Sequence, residues 1–342
     1  MKLNDPNHDV DFLTPGLAPS AVPSEALKTP SSPDAPAPKR GEEKASPRKS
    51  MVTAAQKRRL FRDLDRLDPR FIEKMEPFLD GLYKHYFRCE FDGWENMPTQ
   101  KSLIVGNHNG LLTFEVVMLF YAWWKRFGST RRGVGLAHGI ALNNPLFAWL
   151  CPRIGAIPAD PDVAEEALKR DYTVLVYPGG EKESFRPYKD RKLVDFYQRK
   201  GFIRLAVKSK VPIVPLVSVG AHESYVILHR GEEIAEALGL KKKYRLHGLP
   251  ITYRSLFFMW CMVTGVFTFF PLLLAPAAFA SIFVPMPAKM NFRLLEPIDP
   301  MSLWNDNRTE EENYQVIYDH VLAVMQKAVS DEYAKRKYPV IG

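Results

Sequence analysis

The chain has little sulfur chemistry available to it. Its three cysteines, Cys89, Cys151 and Cys261, are scattered over 342 residues with neither CxxC nor metal-finger spacing. That spacing excludes a zinc finger and a disulfide framework, and it fits a reducing compartment. No metal or other cofactor is expected. No Gly-x-Ser-x-Gly elbow occurs, so the exposed nucleophile of an α/β serine hydrolase is missing. No basic start leads into an apolar core, so a secretory signal is not expected. No RNP-like pattern or recognition helix accompanies the net charge of +8, so nucleic acid is not expected as a partner. No internal repeat occurs.

Residues 1–50 almost lack aromatics but hold nine of the 28 prolines, and their seven basic residues balance seven acidic ones. Such a segment buries too little apolar surface to offset its ordering entropy, which predicts a disordered tail. The whole excess of positive charge then belongs to residues 51–342, where one domain is expected. It divides into N-terminal helices in 51–86, an apolar insertion at 255–288 and a C-terminal helix at 310–337.

Strand patterns lie at Ser102–Val105, Gly133–Ala137, Val174–Tyr177, Ile213–Val219 and Asn291–Leu295. Helical patterns lie at Ala54–Leu67, Arg70–His85, Leu112–Phe127, Val163–Arg170, Val194–Lys208 and Glu310–Lys335. Alternation of the two predicts an α/β fold, a mixed and mostly parallel sheet flanked by helices. Open sheets of this kind bind ligands at the carboxyl ends of their strands.

One such end carries the most informative residue. His108 follows the apolar run Ser102–Gly106 and precedes a helical pattern, inside Asn107-His108-Asn109-Gly110. Glu115 is seven residues on, about two helical turns. A histidine oriented by a carboxylate makes a general base for a hydroxyl. Asn107 and Asn109 either orient an acceptor or cap the helix. Downstream, Thr173–Tyr177 breaks at Pro178-Gly179-Gly180 and turns polar through Glu181, Lys182 and Arg186. Glycines there permit close approach of a ligand to the backbone. Lys182, Arg186 and Arg191 are candidate phosphate contacts. The competing reading of this stretch is a plain turn with solvated charges.

The order Asn-His-Asn-Gly, Tyr-Pro-Gly-Gly, Gly201-Phe202-Ile203-Arg204-Leu205-Ala206, Val-Pro-Ile-Val-Pro and Gly-Ala-His-Glu resembles the glycerolipid and lysophospholipid acyltransferase superfamily. It is most similar to the bacterial branch related to diacylglycerol acyltransferases. The chain departs from the common His-x-x-x-x-Asp motif, because Thr113 stands five residues after His108. Glu115 matches the acidic position of the longer spacing used by the branch. Tyr177 to Glu183 replaces the usual Phe-Pro-Glu-Gly-Thr-Arg, and the motif arginine is absent.

The resemblance implies transfer of an acyl group from acyl-CoA or an acyl carrier protein to a glycerolipid hydroxyl. The acceptor class runs from lysophospholipid or lysophosphatidate to mono- or diacylglycerol. His108 is then the catalytic base and Glu115 its orienting carboxylate. Asn107, Gly179, Gly180, Glu181, Lys182, Arg186 and Arg191 are then substrate-binding candidates, with the Gly179 and Gly180 N–H groups facing the oxyanion. The alternative is a lipid-binding scaffold of the same fold that has lost catalysis.

The 34 residues Ser255–Ala288 carry no charge and are bounded by Arg254 and Lys289. Pro271 and Pro276 interrupt the run, and Ser255–Phe270 spans only ~24 Å as a helix against a ~30 Å bilayer core. A re-entrant or interfacial hairpin is therefore expected ahead of a full span or a buried helix pair. Basic residues at both ends suit a cytoplasmic membrane face, with membrane lipids as partners.

Overall fold

The computed structural model describes residues 61–110, 114–137, 145–240, 242, 247–263, 284–338 and 340–341. The expected tail at 1–50, the first part of the helix expected at Ala54–Leu67, Thr113 and the middle of the apolar run lie outside these residues.

A seven-stranded sheet forms the frame. Its strands are β1 (Glu90–Asp92), β2 (Leu103–Gly106), β3 (Gly133–Ala137), β4 (Ala156–Pro158), β5 (Thr173–Val176), β6 (Ile213–Val219) and β9 (Asn291–Leu294), in the order β1-β9-β6-β2-β5-β3-β4. β2 pairs in parallel with both β5 and β6. Only the β6–β9 pair is antiparallel among the described pairs of this sheet. A separate small hairpin joins β7 (Ile227–His229) to β8 (Ile251–Thr252). The helices are α1 (Pro69–Gly81), α2 (Phe114–Phe127), α3 (Pro145–Leu150), α4 (Pro161–Lys169), α5 (Gly180–Ser184), α6 (Gly201–Ser209), α7 (Ala221–Ser224), α8 (Glu232–Ala237), α9 (Tyr253–Val263) and α10 (Glu310–Lys335). This is the mixed, mostly parallel α/β architecture that the alternating pattern predicts.

Period-two alternation splits the core between the two faces of the sheet. Leu103 and Val105 of β2 pack with Ile203 of α6 and Ile317, Val321 and Met325 of α10. Ile104, between them, packs on the other face with Met118, Leu119 and Trp123 of α2. Short polar residues start the helices. Asp68 and Asp160 cap α1 and α4 ahead of a proline, and Thr309 and Glu312 close a reciprocal capping box on α10. Each supplies an acceptor to N–H groups that have no partner in the first turn.

Two expectations are corrected. The helix expected from Val194 starts only at Gly201, because Tyr197 and Gln198 hold the left-handed φ values 53° and 57°. The short strands β1 and β4 carry no legible alternation, being three residues each.

The fold brings the ends of the apolar run together at the site edge of the sheet. α9 supplies its beginning, and the Arg254 guanidinium donates to the Val284 carbonyl. Met286 N–H in turn bonds the Ser224 carbonyl at 2.9 Å, just beyond the end of β6. Among the described residues no helix is long and apolar enough to cross a membrane.

The α10 seam is expected to carry much of the stability. Ile317→Ala, at a fully buried site, should destabilise the protein by roughly 2–5 kcal/mol. The urea midpoint should fall with an unchanged slope, whereas Met259→Ser on the exposed face of α9 should move it little.

Candidate active site

The ends of three adjacent strands, β6, β2 and β5, point the same way, and the polar residues of the motifs lie just beyond them. β2 leads to His108, β5 to Tyr177-Pro178-Gly179-Gly180, and β6 to Gly220 and α7. At the centre, His108 Nδ1 lies 2.7 Å from Glu115 Oε1. Glu115 sits in the first turn of α2 and is buried. Its carboxylate also accepts from the Asn109 N–H at 2.8 Å and the Ser218 hydroxyl at 3.2 Å. Burial raises the Glu115 carboxyl above its ordinary range, and these donors pull it back. As a carboxylate it takes the Nδ1 proton and leaves Nε2 as the basic nitrogen.

The turn that bears His108 is fixed on three sides. Asn107 exchanges hydrogen bonds with the Ser218 main chain, its Nδ2 donating at 2.9 Å and its Oδ1 accepting at 2.8 Å. Asn109 Nδ2 donates to Ser218 Oγ at 2.7 Å. From α5, Ser184 Oγ donates to the Gly110 carbonyl at 2.7 Å, and Glu183 Oε2 accepts the His108 N–H at 3.0 Å. Over the imidazole lies the Tyr177 ring, 4.7 Å between centroids and tilted by 29°. Gly106 makes room for that ring, since a Cβ there would lie 2.5 Å from Tyr177 Cε1. Gly110 has φ +76° and abuts the Ala221 carbonyl, a backbone shape that side chains rarely adopt.

The other sequence candidates divide. Asn107 faces β6, with both amide atoms engaged, and holds the turn rather than an open cleft. Gly180 directs its N–H to the Tyr177 carbonyl at 3.1 Å, so that donor is not free for an oxyanion. The Pro178 and Gly179 carbonyls accept from Arg199, each at 3.1 Å. Glu181 pairs with the His247 ring. Lys182 lies over the Tyr197 ring at 5.5 Å. Arg186 is 2% exposed, with Nη2 3.7 Å from Glu183 Oε1, and its Nε and Nη2 have no hydrogen-bond partner among the described residues. Arg191 lies over the Tyr188 ring at 4.1 Å and 3.6 Å from Glu223. The three basic candidates thus have three different partners.

Sequence reasoning missed Ser218, Glu183 and Arg199 and gave Tyr177 no role. Ser218 had a signal, as the one hydroxyl in the otherwise apolar strand Ile213–Val219. His222 of the Gly-Ala-His-Glu segment is buried, and burial drives it down to about 3, so it is neutral. Neither ring nitrogen has a hydrogen-bond partner among the described residues. Among those residues no group of histidine, cysteine or acidic side chains is placed to hold a metal.

Residues 88–219, the segment from β1 to the end of β6, match the acyltransferase family model. That segment is similar to the glycerolipid acyltransferase superfamily. Among relatives, an uncharacterized protein of Mycobacterium tuberculosis is 29% identical over 234 residues, 68% of this chain and 58% of that one. The chain thus spans somewhat more than half of the mycobacterial proteins it matches. A protein named DGAT1/2-independent enzyme synthesizing storage lipids, from Gallus gallus, is 26% identical over 145 residues, 42% of each chain. The crystal structure of the 1-acyl-sn-glycerophosphate acyltransferase PlsC from Thermotoga maritima has a TM-score of 0.47 and 17% identity, covering 84% of this chain and 92% of that one.

In this acyltransferase fold the fit of Tyr177 over His108 is testable through Gly106. Its φ is ordinary for an L residue, so Gly106→Ala should fold, yet its methyl must displace the ring. A misplacement of about 1 Å costs on the order of 10²-fold in turnover. Turnover should therefore fall by that order while the thermal midpoint changes by a few degrees. Wild-type turnover in the variant would show that the ring does not hold the imidazole.

Proposed function

We propose that the protein is an O-acyltransferase. It moves a fatty acyl group from a thioester, acyl-CoA or an acyl carrier protein, to a glycerolipid hydroxyl. The observation that carries this is the His108 Nδ1–Glu115 contact of 2.7 Å at the strand-end edge of the sheet, within the segment that matches the family model.

The chemistry follows from which nitrogen is free. Glu115 holds the Nδ1 proton, so Nε2 accepts the proton of the acceptor hydroxyl as that oxygen attacks the thioester carbonyl. The new C–O bond forms, the tetrahedral centre collapses, and the C–S bond breaks. The departing thiolate recovers the proton from the imidazolium. No side chain is acylated, so no serine or cysteine nucleophile is needed. The buried Glu115 carboxylate stabilises the imidazolium between the two proton transfers. The scaffold alternative has no use for a carboxylate buried against this imidazole.

One feature bears on the acceptor. The chicken relative is named for storage-lipid synthesis. That favours an uncharged acceptor, mono- or diacylglycerol, over lysophosphatidate. Purified protein given acyl-CoA and mixed acceptors should form new esters detectable by lipid mass spectrometry. His108→Ala should lower the rate by about 10²–10⁴-fold. Retention of more than about a tenth of turnover would overturn the assignment of the base.

The acceptor arrives from a membrane in this reading. α9 exposes Phe257, Met259, Met262 and Val263, and both described ends of the apolar run lie on the edge that carries His108. One-sided insertion there lets a lipid hydroxyl reach Nε2 without leaving the interface. Met259→Lys with Met262→Lys should reduce flotation with phosphatidylcholine–phosphatidylglycerol vesicles by roughly tenfold. Unchanged flotation would remove α9 from the contact.

A further inference from the structure

A second carboxylate stands against the His108 main chain, on a segment that the base–carboxylate pair does not include. Glu183 is fully buried in α5. Its Oε2 accepts the His108 main-chain N–H at 3.0 Å. Gly179 has no side chain where Glu183 passes, since a Cβ there would lie 2.6 Å from Glu183 Cβ. One residue on, Ser184 binds the Gly110 carbonyl. α5 therefore grips both ends of the turn His108–Gly110. This is a built arrangement around one atom pair, and a packing role alone does not require a charge there.

The charge is also incompletely neutralised. Glu183 Oε1 makes no close hydrogen bond among the described residues; Arg186 approaches it only to 3.7 Å, and the Asp195 main-chain N–H also pulls the carboxyl down. Opposite charges a few ångströms apart favour each other's charged forms, and more strongly where water is excluded. The interaction between Glu183 and His108 is reciprocal: what holds the carboxylate ionised also favours the imidazolium.

We infer that Glu183 is a positioning residue for His108, fixing the turn through its main-chain N–H and adding a negative charge that stabilises the imidazolium formed during acyl transfer. The inference deepens the acyl-transfer reading and rests on His108 being the base. Glu183 acts through His108 and touches no reacting atom.

The groups that face this pair come from every surrounding element. Glu115 projects from α2 and Tyr177 from the end of β5. Arg186 follows α5, the Asp195 main-chain N–H comes from the segment before α6, and His222 stands in α7. His222 is neutral, and burial holds the Tyr177 hydroxyl well above its usual range. Arg186 keeps its charge throughout. Burial pushes Glu183 up to about 7, against the pull of Arg186 and the His108 N–H.

The direction of the effect is fixed. A base must be unprotonated to act, so activity falls on the acid side. A neighbouring negative charge favours its protonated form and places that acid limb at higher pH. Glu183→Gln keeps an acceptor for the N–H and removes the charge. It should lower kcat by about tenfold, leave KM for acyl-CoA within about twofold, and move the acid limb of kcat/KM to lower pH by roughly half a unit or more. Glu183→Asp, which retains the charge, should keep the limb at its wild-type position. A second readout needs no turnover. The pH midpoint for modification of His108 by diethyl pyrocarbonate, followed on its own peptide by mass spectrometry, should also move down in Glu183→Gln.

An unmoved limb and an unmoved modification midpoint would overturn the inference, even if activity or thermal stability fell, because a packing role changes those alone. If Glu183→Gln does not fold, the uncharged Glu183→Ser decides: a limb moved to lower pH would support the inference, and an unmoved limb would overturn it. Failure of the wild-type protein to transfer any acyl group would overturn the acyltransferase reading instead. The modification midpoint would still decide the role of Glu183.

Discussion

A carboxylate taken out of water is the constraint on which the site depends. Glu115 is buried against the sheet, where an unpaired charge costs several kcal/mol. Three donors make it tolerable: the His108 ring, the Asn109 N–H and the Ser218 hydroxyl. They come from two places in the chain, and the carboxylate from a third. The ring and the N–H belong to the turn after β2, the hydroxyl to the end of β6, and the carboxylate to the start of α2. The parallel pairing of β2 with β6 brings them together. The catalytic geometry is therefore also the means by which a buried charge is satisfied, and loss of one member leaves the others uncompensated.

The same edge carries more buried charge than one ion pair explains. Glu183, Arg186, His222 and Glu223 lie behind the His108 turn, all buried. Burial raises the carboxyls of Glu183 and Glu223 and lowers His222. Such a cluster is a poor contributor to stability, because desolvation offsets most of the attraction. Its use lies in holding the base rigidly in a fixed field, the preorganisation on which base-assisted transfer depends. Around this polar interior the protein presents an apolar exterior, α9 and the ends of the apolar run, on the same side. On the proposed reading, a water-soluble thioester and a membrane-dissolved alcohol would have separate approaches to one imidazole.

Much of this was legible in the residues. The periods of strand and helix located β2, β3, β5, β6 and β9, because each is a run of apolar residues long enough to alternate. β1 and β4 are too short for that, and the helix at Gly201 was read too early because nothing in Val194–Lys200 signals a left-handed backbone. In the site, His108 and Glu115 stood out because seven residues is a helical distance. Glu183 and Ser218 did not, because their roles come from strand pairing 75 to 110 residues from the base. The setting of Arg186 is hidden for a related reason: its counter-charge three residues away is visible in the sequence, but its burial is not.

The central claim is that His108 and Glu115 work as one unit, and a double-mutant cycle tests it most directly. Turnover is measured for His108→Ala, Glu115→Gln and the double variant at one pH with saturating acyl-CoA. If the carboxylate acts only through the imidazole, the double variant is no slower than His108→Ala alone. If the two losses multiply instead, Glu115 acts independently of His108, and the account of the site is contradicted.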